Sequence, residues 1–380
     1  RVRSSSESQK DRFPRAASQR LANIRHMGGN LQDVQGLPDT KTAGPSRAGL
    51  RVSTSLLTGF LGSGKTTILN ELLRHPGMGE TAVIVNEFGE ISLDHLLVEN
   101  ASEEMIVLDS GCVCCSVRND LLETMHELWE KREAGEIPRF ERVVIETTGL
   151  ADPAPILRTL IHEVDVAERY FLDSVLCTVD LFNLEDTIAG QYESRKQLAV
   201  ADRVLLTKLD LLEAELGVEE AASCVNELRQ KLWDLNPSAP QVLVRKGAIV
   251  PEELFGVALF DAERDEHGRG RANLGDWLRD DAYLTLDPDE AEAHGHAHST
   301  GHAHGDEIRS FCLTWRDPIP MPVFEAWLTS LMHYQGPKLL RVKGIVNIRE
   351  VERPTVMHIV QHAFHDPVVL DAWPDDDRRT

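Results

Sequence analysis

The chain has 380 residues, 42% of them hydrophobic, and 62 acidic against 40 basic side chains leave a formal charge of -22. That length suits one domain plus a smaller one, because single cores rarely grow past about 250–300 residues, and the charge excludes a general nucleic-acid or anionic-membrane surface, which needs a basic face. No apolar run nears the roughly 20 residues of a membrane span and no secretory signal opens the chain, so the expected setting is cytoplasmic, with no membrane partner.

Residues 1–50 are rich in Ser, Arg, Gly and Gln. They hold too little apolar surface to offset ordering entropy and are expected to be a disordered extension, an organelle-targeting arm being the sharper alternative. Arg1 in place of Met and the bare ending Arg378-Arg379-Thr380 give both termini a clipped look.

From Val52 short β-rich runs alternate with helical stretches, the pattern of an α/β domain with a parallel sheet and crossover helices, expected over 51–260. Strands are predicted at Val52–Leu57, Ala82–Asn86, Arg142–Glu146, Ser174–Val179, Arg203–Thr207 and Gln241–Val244. Helices are predicted at Thr66–Arg74, Arg118–Ala134, Pro153–Leu160 and Glu219–Leu235. The strand-end loops of such a fold gather on one edge, where nucleotides bind.

The first of those loops is Gly59-Phe60-Leu61-Gly62-Ser63-Gly64-Lys65-Thr66, set between an apolar strand and an apolar helix. Its glycines let the backbone curl N–H groups inward around phosphate oxygens, with the helix N-terminus behind them. Gly59, Gly62, Ser63, Gly64 and Thr67 are expected to line the cradle, Lys65 to bridge the β and γ phosphates, and Thr66 to ligate Mg²⁺. After the next strand, Asn86-Glu87-Phe88-Gly89-Glu90 stands where a switch loop would be. Glu87 or Glu90 could orient water or serve as an auxiliary metal ligand; solvated loop carboxylates are the alternative.

Gly111-Cys112-Val113-Cys114-Cys115 follows, with three of the six cysteines packed into four positions. Such clustering does not suit a disulfide framework. Cys112, Cys114 and Cys115 could share one Zn²⁺ at about 2.3 Å each and leave a fourth position open, which makes release of the ion feasible. Buried inert cysteines are the plainer reading, and it is the one expected for the isolated Cys177, Cys224 and Cys312.

The strand Val143-Val144-Ile145 ends in Glu146, followed by Thr147-Thr148-Gly149, the layout expected where the Mg²⁺ water shell meets the γ-phosphate. Farther on, Thr207-Lys208-Leu209-Asp210 ends another apolar strand. An Asp accepts from both guanine N1–H and the exocyclic amine, so Thr207, Lys208 and Asp210 are expected to choose GTP over ATP.

Residues 261–307 are acidic and carry His294, His296, His298, His302 and His304 among small residues, an expected linker able to gather metal loosely. Beyond it, strand Ile308–Trp315, helix Pro320–His333, strand Leu339–Ile348 and strand Thr355–Gln361 are predicted to form a small α+β domain over 308–380.

Jointly, Thr58 through Thr67, Asn86-Glu87-Phe88-Gly89, Gly111-Cys112-Val113-Cys114-Cys115, Glu146-Thr147-Thr148-Gly149 and Thr207-Lys208-Leu209-Asp210 resemble the CobW-like P-loop GTPases. Leu340-Arg341-Val342-Lys343-Gly344 and Trp373-Pro374 look like that family's second domain. The resemblance implies a GTPase metallochaperone, most often for zinc, whose cysteine trio holds the cargo ion while GTP binding and hydrolysis govern delivery to a client apoprotein. Some members look instead toward cobalt in cobalamin synthesis, or toward nitrile hydratase activation. Two departures stand out: Thr207 replaces the Asn of many guanine motifs, and the chain ends where the family's second domain would run on into a further strand. A zinc store with an idle nucleotide domain and a small-molecule kinase with a structural zinc are the competing readings. A homodimer is compatible with all of them.

Overall fold

The computed structural model describes residues 51–85, 106–109, 117–256, 308, 310, 313–360, 363–364, 367–370, 373, 378 and 380. It divides into two compact units, Leu50–Cys312 and one containing Leu313–Thr380.

In the first unit seven parallel strands form one sheet: β1 (Val52–Gly59), β2 (Thr81–Val85), β3 (Ile106–Asp109), β4 (Arg142–Glu146), β5 (Tyr170–Asp180), β6 (Arg203–Thr207) and β7 (Gln241–Leu243). Their order is β3-β2-β4-β1-β5-β6-β7. The helices are α1 (Lys65–Leu73), α2 (Val117–Ala134), α3 (Ala154–His162), the single turn α4 (Val164–Ala167), α5 (Leu184–Gly190), α6 (Tyr192–Ala199), α7 (Leu209–Leu216) and α8 (Val218–Leu235). Central strands read as near-continuous apolar runs because helices cover both sheet faces, and ten of the eleven β5 residues are buried. Ile68, Leu69, Leu72 and Leu73 of α1 join Leu57, Val83, Val144, Leu176 and Leu205 in one core. A second core joins β5 and β6 to α8 through Ala221, Val225, Leu228 and Leu232.

The chain leaves β1 for one side of the sheet and later returns to place β5 on the other, so strand order reverses at β1. A crevice outside the carboxyl ends of the strands is expected at such a point. Register fixes what borders it: Leu57 pairs with Glu146, Gly59 with Thr178, and Asp180 with Thr207.

Several expectations need correction. Strand β3 was not anticipated, because four residues are too few to display a period. Strand β5 begins four residues earlier than predicted; Asp173 breaks the apolar run in sequence, yet it is buried, accepting from Gly256 N–H at 2.8 Å and Ser55 Oγ at 3.5 Å. Helices α4 to α7 were also missed, being short or polar. The strand expected at Ile308–Trp315 is not formed at its described residues; Trp315 instead exchanges two backbone hydrogen bonds with Thr380, at 2.9 and 2.8 Å.

The second unit is an α+β layer. Its helix α9 (Met321–Gln335) turns Met321, Phe324 and Leu328 onto β8 (Arg341–Val346) and β9 (Thr355–Val360). These strands are antiparallel, and β10 (Ala363–Phe364) and β11 (Val368–Val369) share the other edge of β9. Among the described residues, no helix is long and apolar enough to cross a membrane.

Candidate nucleotide site

The loop between β1 and α1 turns on glycines with positive φ: Gly59 at 143°, Gly62 at 70° and Gly64 at 93°. Gly59 has a second constraint, since a Cβ there would lie 2.2 Å from Thr178 Oγ1. Gly64 caps α1, so the free N–H groups of the first turn face the crevice. Ser63 Oγ and Thr178 Oγ1 lie 2.6 Å apart, which fastens the loop to β5.

Lys65 is buried at 8% exposure, and its Nζ donates to the carbonyls of Gly59 at 3.0 Å and Phe60 at 3.1 Å. An ammonium folded back onto the loop brings its charge into the cradle with little freedom left to lose. Thr66 Oγ1 donates to Glu146 Oε1 at 2.7 Å, although 80 residues separate the two. Glu146 is 5% exposed at the end of β4. A hydroxyl and a carboxylate converging at the mouth of the cradle are hard oxygen donors of the kind Mg²⁺ selects, so these residues fit that ion.

Thr147 donates its backbone N–H to Leu57 O at 3.0 Å and its hydroxyl to Thr58 Oγ1 at 3.0 Å, which holds the chain after β4 beside β1. Gly149 then meets the phosphate loop, where a Cβ would stand 2.6 Å from both the backbone N and the Cα of Leu61.

On the other flank, Thr207 is buried and its hydroxyl serves Ser63 O at 2.8 Å and Val179 O at 3.0 Å. It was expected among the nucleotide contacts; the fold uses its side chain to tie β6 to the phosphate loop. Lys208 adopts a left-handed backbone, φ 59°, and Nζ reaches Asp180 Oδ2 at 2.8 Å. Asp180 also accepts from Phe182 N–H and Asn183 Nδ2, so it fixes the turn next to Lys208. Sequence reading passed over Asp180; its place at a strand end was the available signal. Asp210 is exposed in the first turn of α7.

Thus Lys65, Thr66 and Glu146 are brought together, with Thr207 and Lys208 one strand beyond β5. Glu87, Glu90, Cys112, Cys114, Cys115, His294, His296, His298, His302 and His304 lie outside the described residues. Among the described ones, no group of three or more His, Cys, Asp or Glu could hold a metal. Cys177 is fully enclosed, and burial pushes its thiol up to about 12. Cys224, partly buried, packs against the α8 core.

A glycine cradle between a strand and a helix, a lysine folded into it, and a threonine hydrogen-bonded to the acid of a neighbouring strand define a P-loop nucleotide-binding protein. The family model described as "CobW/HypB/UreG, nucleotide-binding domain" matches residues 53–234, and the one described as "Cobalamin synthesis protein cobW C-terminal domain" matches residues 308–380. The chain belongs to the CobW family.

Among curated relatives, the zinc chaperone YjiA of Escherichia coli (strain K12) is 37% identical over 215 residues, covering 56% of this chain and 64% of its own length. The zinc-regulated GTPase metalloprotein activator 1 of Saccharomyces cerevisiae is 27% identical over 302 residues, covering 70% of this chain and 68% of its own. Among solved structures, that of Zn(II)-bound YjiA GTPase from E. coli superposes with a TM-score of 0.60 at 25% identity, covering 87% of this chain and 92% of that one.

Proposed function

We propose that this chain is a GTP-hydrolysing metallochaperone that loads zinc on Cys112, Cys114 and Cys115 and passes it to a client apoprotein in the cytoplasm. The observation that carries the catalytic half is the 2.7 Å contact between Thr66 and Glu146 at the mouth of a lysine-bearing glycine cradle. The cargo half is supported by the sequence of the trio and by family relatives whose names specify zinc.

In the reaction a water oxygen attacks the γ-phosphorus in line, the bond to the β–γ bridging oxygen breaks, and GDP departs as phosphate takes the water's oxygen. Lys65 neutralises charge on the β and γ oxygens within an enclosed cradle, where a fixed charge acts more strongly than in water. Mg²⁺, when bound, would be held by Thr66 and by Glu146 through its water shell, and would offset charge on the same oxygens. Asp210, at the exposed end of the site, selects guanine, with Lys208 held beside it by Asp180.

Coupling to cargo requires that nucleotide alter the grip of the three sulfurs, because a ligand shifts only what it binds differentially. The domain plan that follows is a nucleotide domain over 51–260, a His-rich linker over 261–307 and a terminal domain over 308–380.

The test is zinc transfer from the purified protein to a panel of apoenzymes, with GTP and with a non-hydrolysable analogue. Delivery that depends on hydrolysable GTP supports the reading. Equal zinc affinity without nucleotide, with GTP and with GDP would remove the coupling. A store would lose most capacity on deletion of 294–304, and a kinase would prefer ATP.

A further inference from the structure

Helix α6 is polar throughout its first turns, yet Gln197 is entirely buried, at 0% exposure. Its Nε2 donates to two backbone carbonyls of the segment that follows β4: Gly149 O and Ala151 O, each at 3.1 Å. Two carbonyls facing one amide fix its orientation, since an amide oxygen would be repelled there. Gln197 Oε1 is then left buried, and it has no hydrogen-bond partner among the described residues. A buried acceptor without a donor costs about 1–3 kcal/mol, and a methionine or leucine of similar volume would avoid that cost only by giving up both donations to the carbonyls. The NH₂ group therefore has a use that outweighs that cost.

A second tie runs from the same helix to the same segment. Lys196 Nζ lies 2.9 Å from Asp152 Oδ2, and Asp152 Oδ1 accepts the Ala154 N–H at 3.0 Å, where α3 begins. Gly149 is thus confined from both sides. Leu61 of the phosphate loop leaves no room for a side chain on one, and Gln197 holds its carbonyl on the other. The Thr148 hydroxyl, buried without a partner among the described residues, adds no competing anchor.

We infer that Gln197 is a positioning residue for GTP hydrolysis: it sets the Gly149 peptide against the phosphate loop, with Lys196–Asp152 bracing the segment from the surface. The inference rests on the GTPase reading above. It acts through the backbone between Glu146 and α3, the stretch expected at the γ-phosphate, so its loss should misplace reacting groups without weakening the hold on GDP. Misplacement on the ångström scale can cost orders of magnitude in rate.

The test compares wild type with Gln197→Met, which keeps volume and removes the donors, and with Lys196→Met at the surface. Steady-state GTP hydrolysis, GDP affinity by titration and the thermal midpoint are measured for each. Gln197→Met is expected to lower kcat about 10-fold while KM and GDP affinity stay within about twofold, and Lys196→Met to lower kcat about 2- to 3-fold in the same manner. An unchanged kcat in folded Gln197→Met overturns the inference, as does a GDP affinity that falls in step with kcat. If Gln197→Met does not fold, Lys196→Met decides: a reduced kcat with intact GDP binding supports it, and an unchanged kcat overturns it. Wild type that hydrolyses no GTP sinks the functional reading and this inference together, whereas active wild type with indifferent variants sinks the inference alone.

Discussion

The two ends of the nucleotide site are built on opposite terms. At the phosphate end, Ser63, Lys65, Glu146 and Thr178 are all buried, and hydrogen bonds join the phosphate loop to β5 and the start of α1 to β4. At the base end, Lys208 keeps 30% of its side chain exposed and Asp210 lies on the surface. The contacts of the loop expected to receive the phosphates also hold the sheet edge together, while Lys208 and Asp210, expected to read the base, stand apart from the core. On the proposed reading, phosphate binding is inseparable from the fold and base choice is separable from it.

That contrast can be broken at named positions. The largest expected effect is at Lys65: Lys65→Ala removes the buried charge, and single-turnover hydrolysis should fall about 100- to 1000-fold. Asp210→Asn should weaken GTP binding about 100-fold through lost charge-assisted hydrogen bonds and raise affinity for xanthosine triphosphate, with no change in thermal midpoint. A shift in that midpoint comparable to one at the phosphate end would erase the distinction. Glu146→Gln keeps a group able to accept from Thr66 but removes the charge, and should reduce activity about 10- to 100-fold while raising the Mg²⁺ concentration needed for half-maximal rate. Thr207→Val sharpens the comparison. Its residue belongs to the base motif in sequence but to the phosphate loop in space, so a calorimetric melt should show a loss of about 1–2 kcal/mol with GTP-over-ATP preference retained.

The geometry of the phosphate-loop edge was legible because its signals are local. An apolar run, glycines at fixed spacing and a terminal acid place Lys65, Thr66 and Glu146 at consecutive openings of one sheet, and Arg142–Glu146 and Arg203–Thr207 match their predicted bounds. What escaped depends on burial of polar groups, which sequence does not display. Asp173 reads as a break in β5 but is enclosed between Ser55 and Gly256. Gln197 reads as one more polar residue on a charged helix, although it is as buried as any leucine of the core. Thr207 seemed a weakened base contact, and only its two hydrogen bonds reveal the different task. The cysteine trio and the histidine tract, the most conspicuous sequence features, lie outside the described residues.

The two tight glycines should fail in different ways under saturation mutagenesis. Any substituent at Gly59 would be driven between neighbouring strands, at 2.2 Å from Thr178, so every allele there should vanish from the soluble fraction. A substituent at Gly149 would meet the backbone N and Cα of Leu61 at 2.6 Å, so the strain would fall on the exposed phosphate loop rather than between strands. Alleles at 149 should therefore accumulate as soluble, folded protein whose displaced phosphate loop no longer turns over nucleotide.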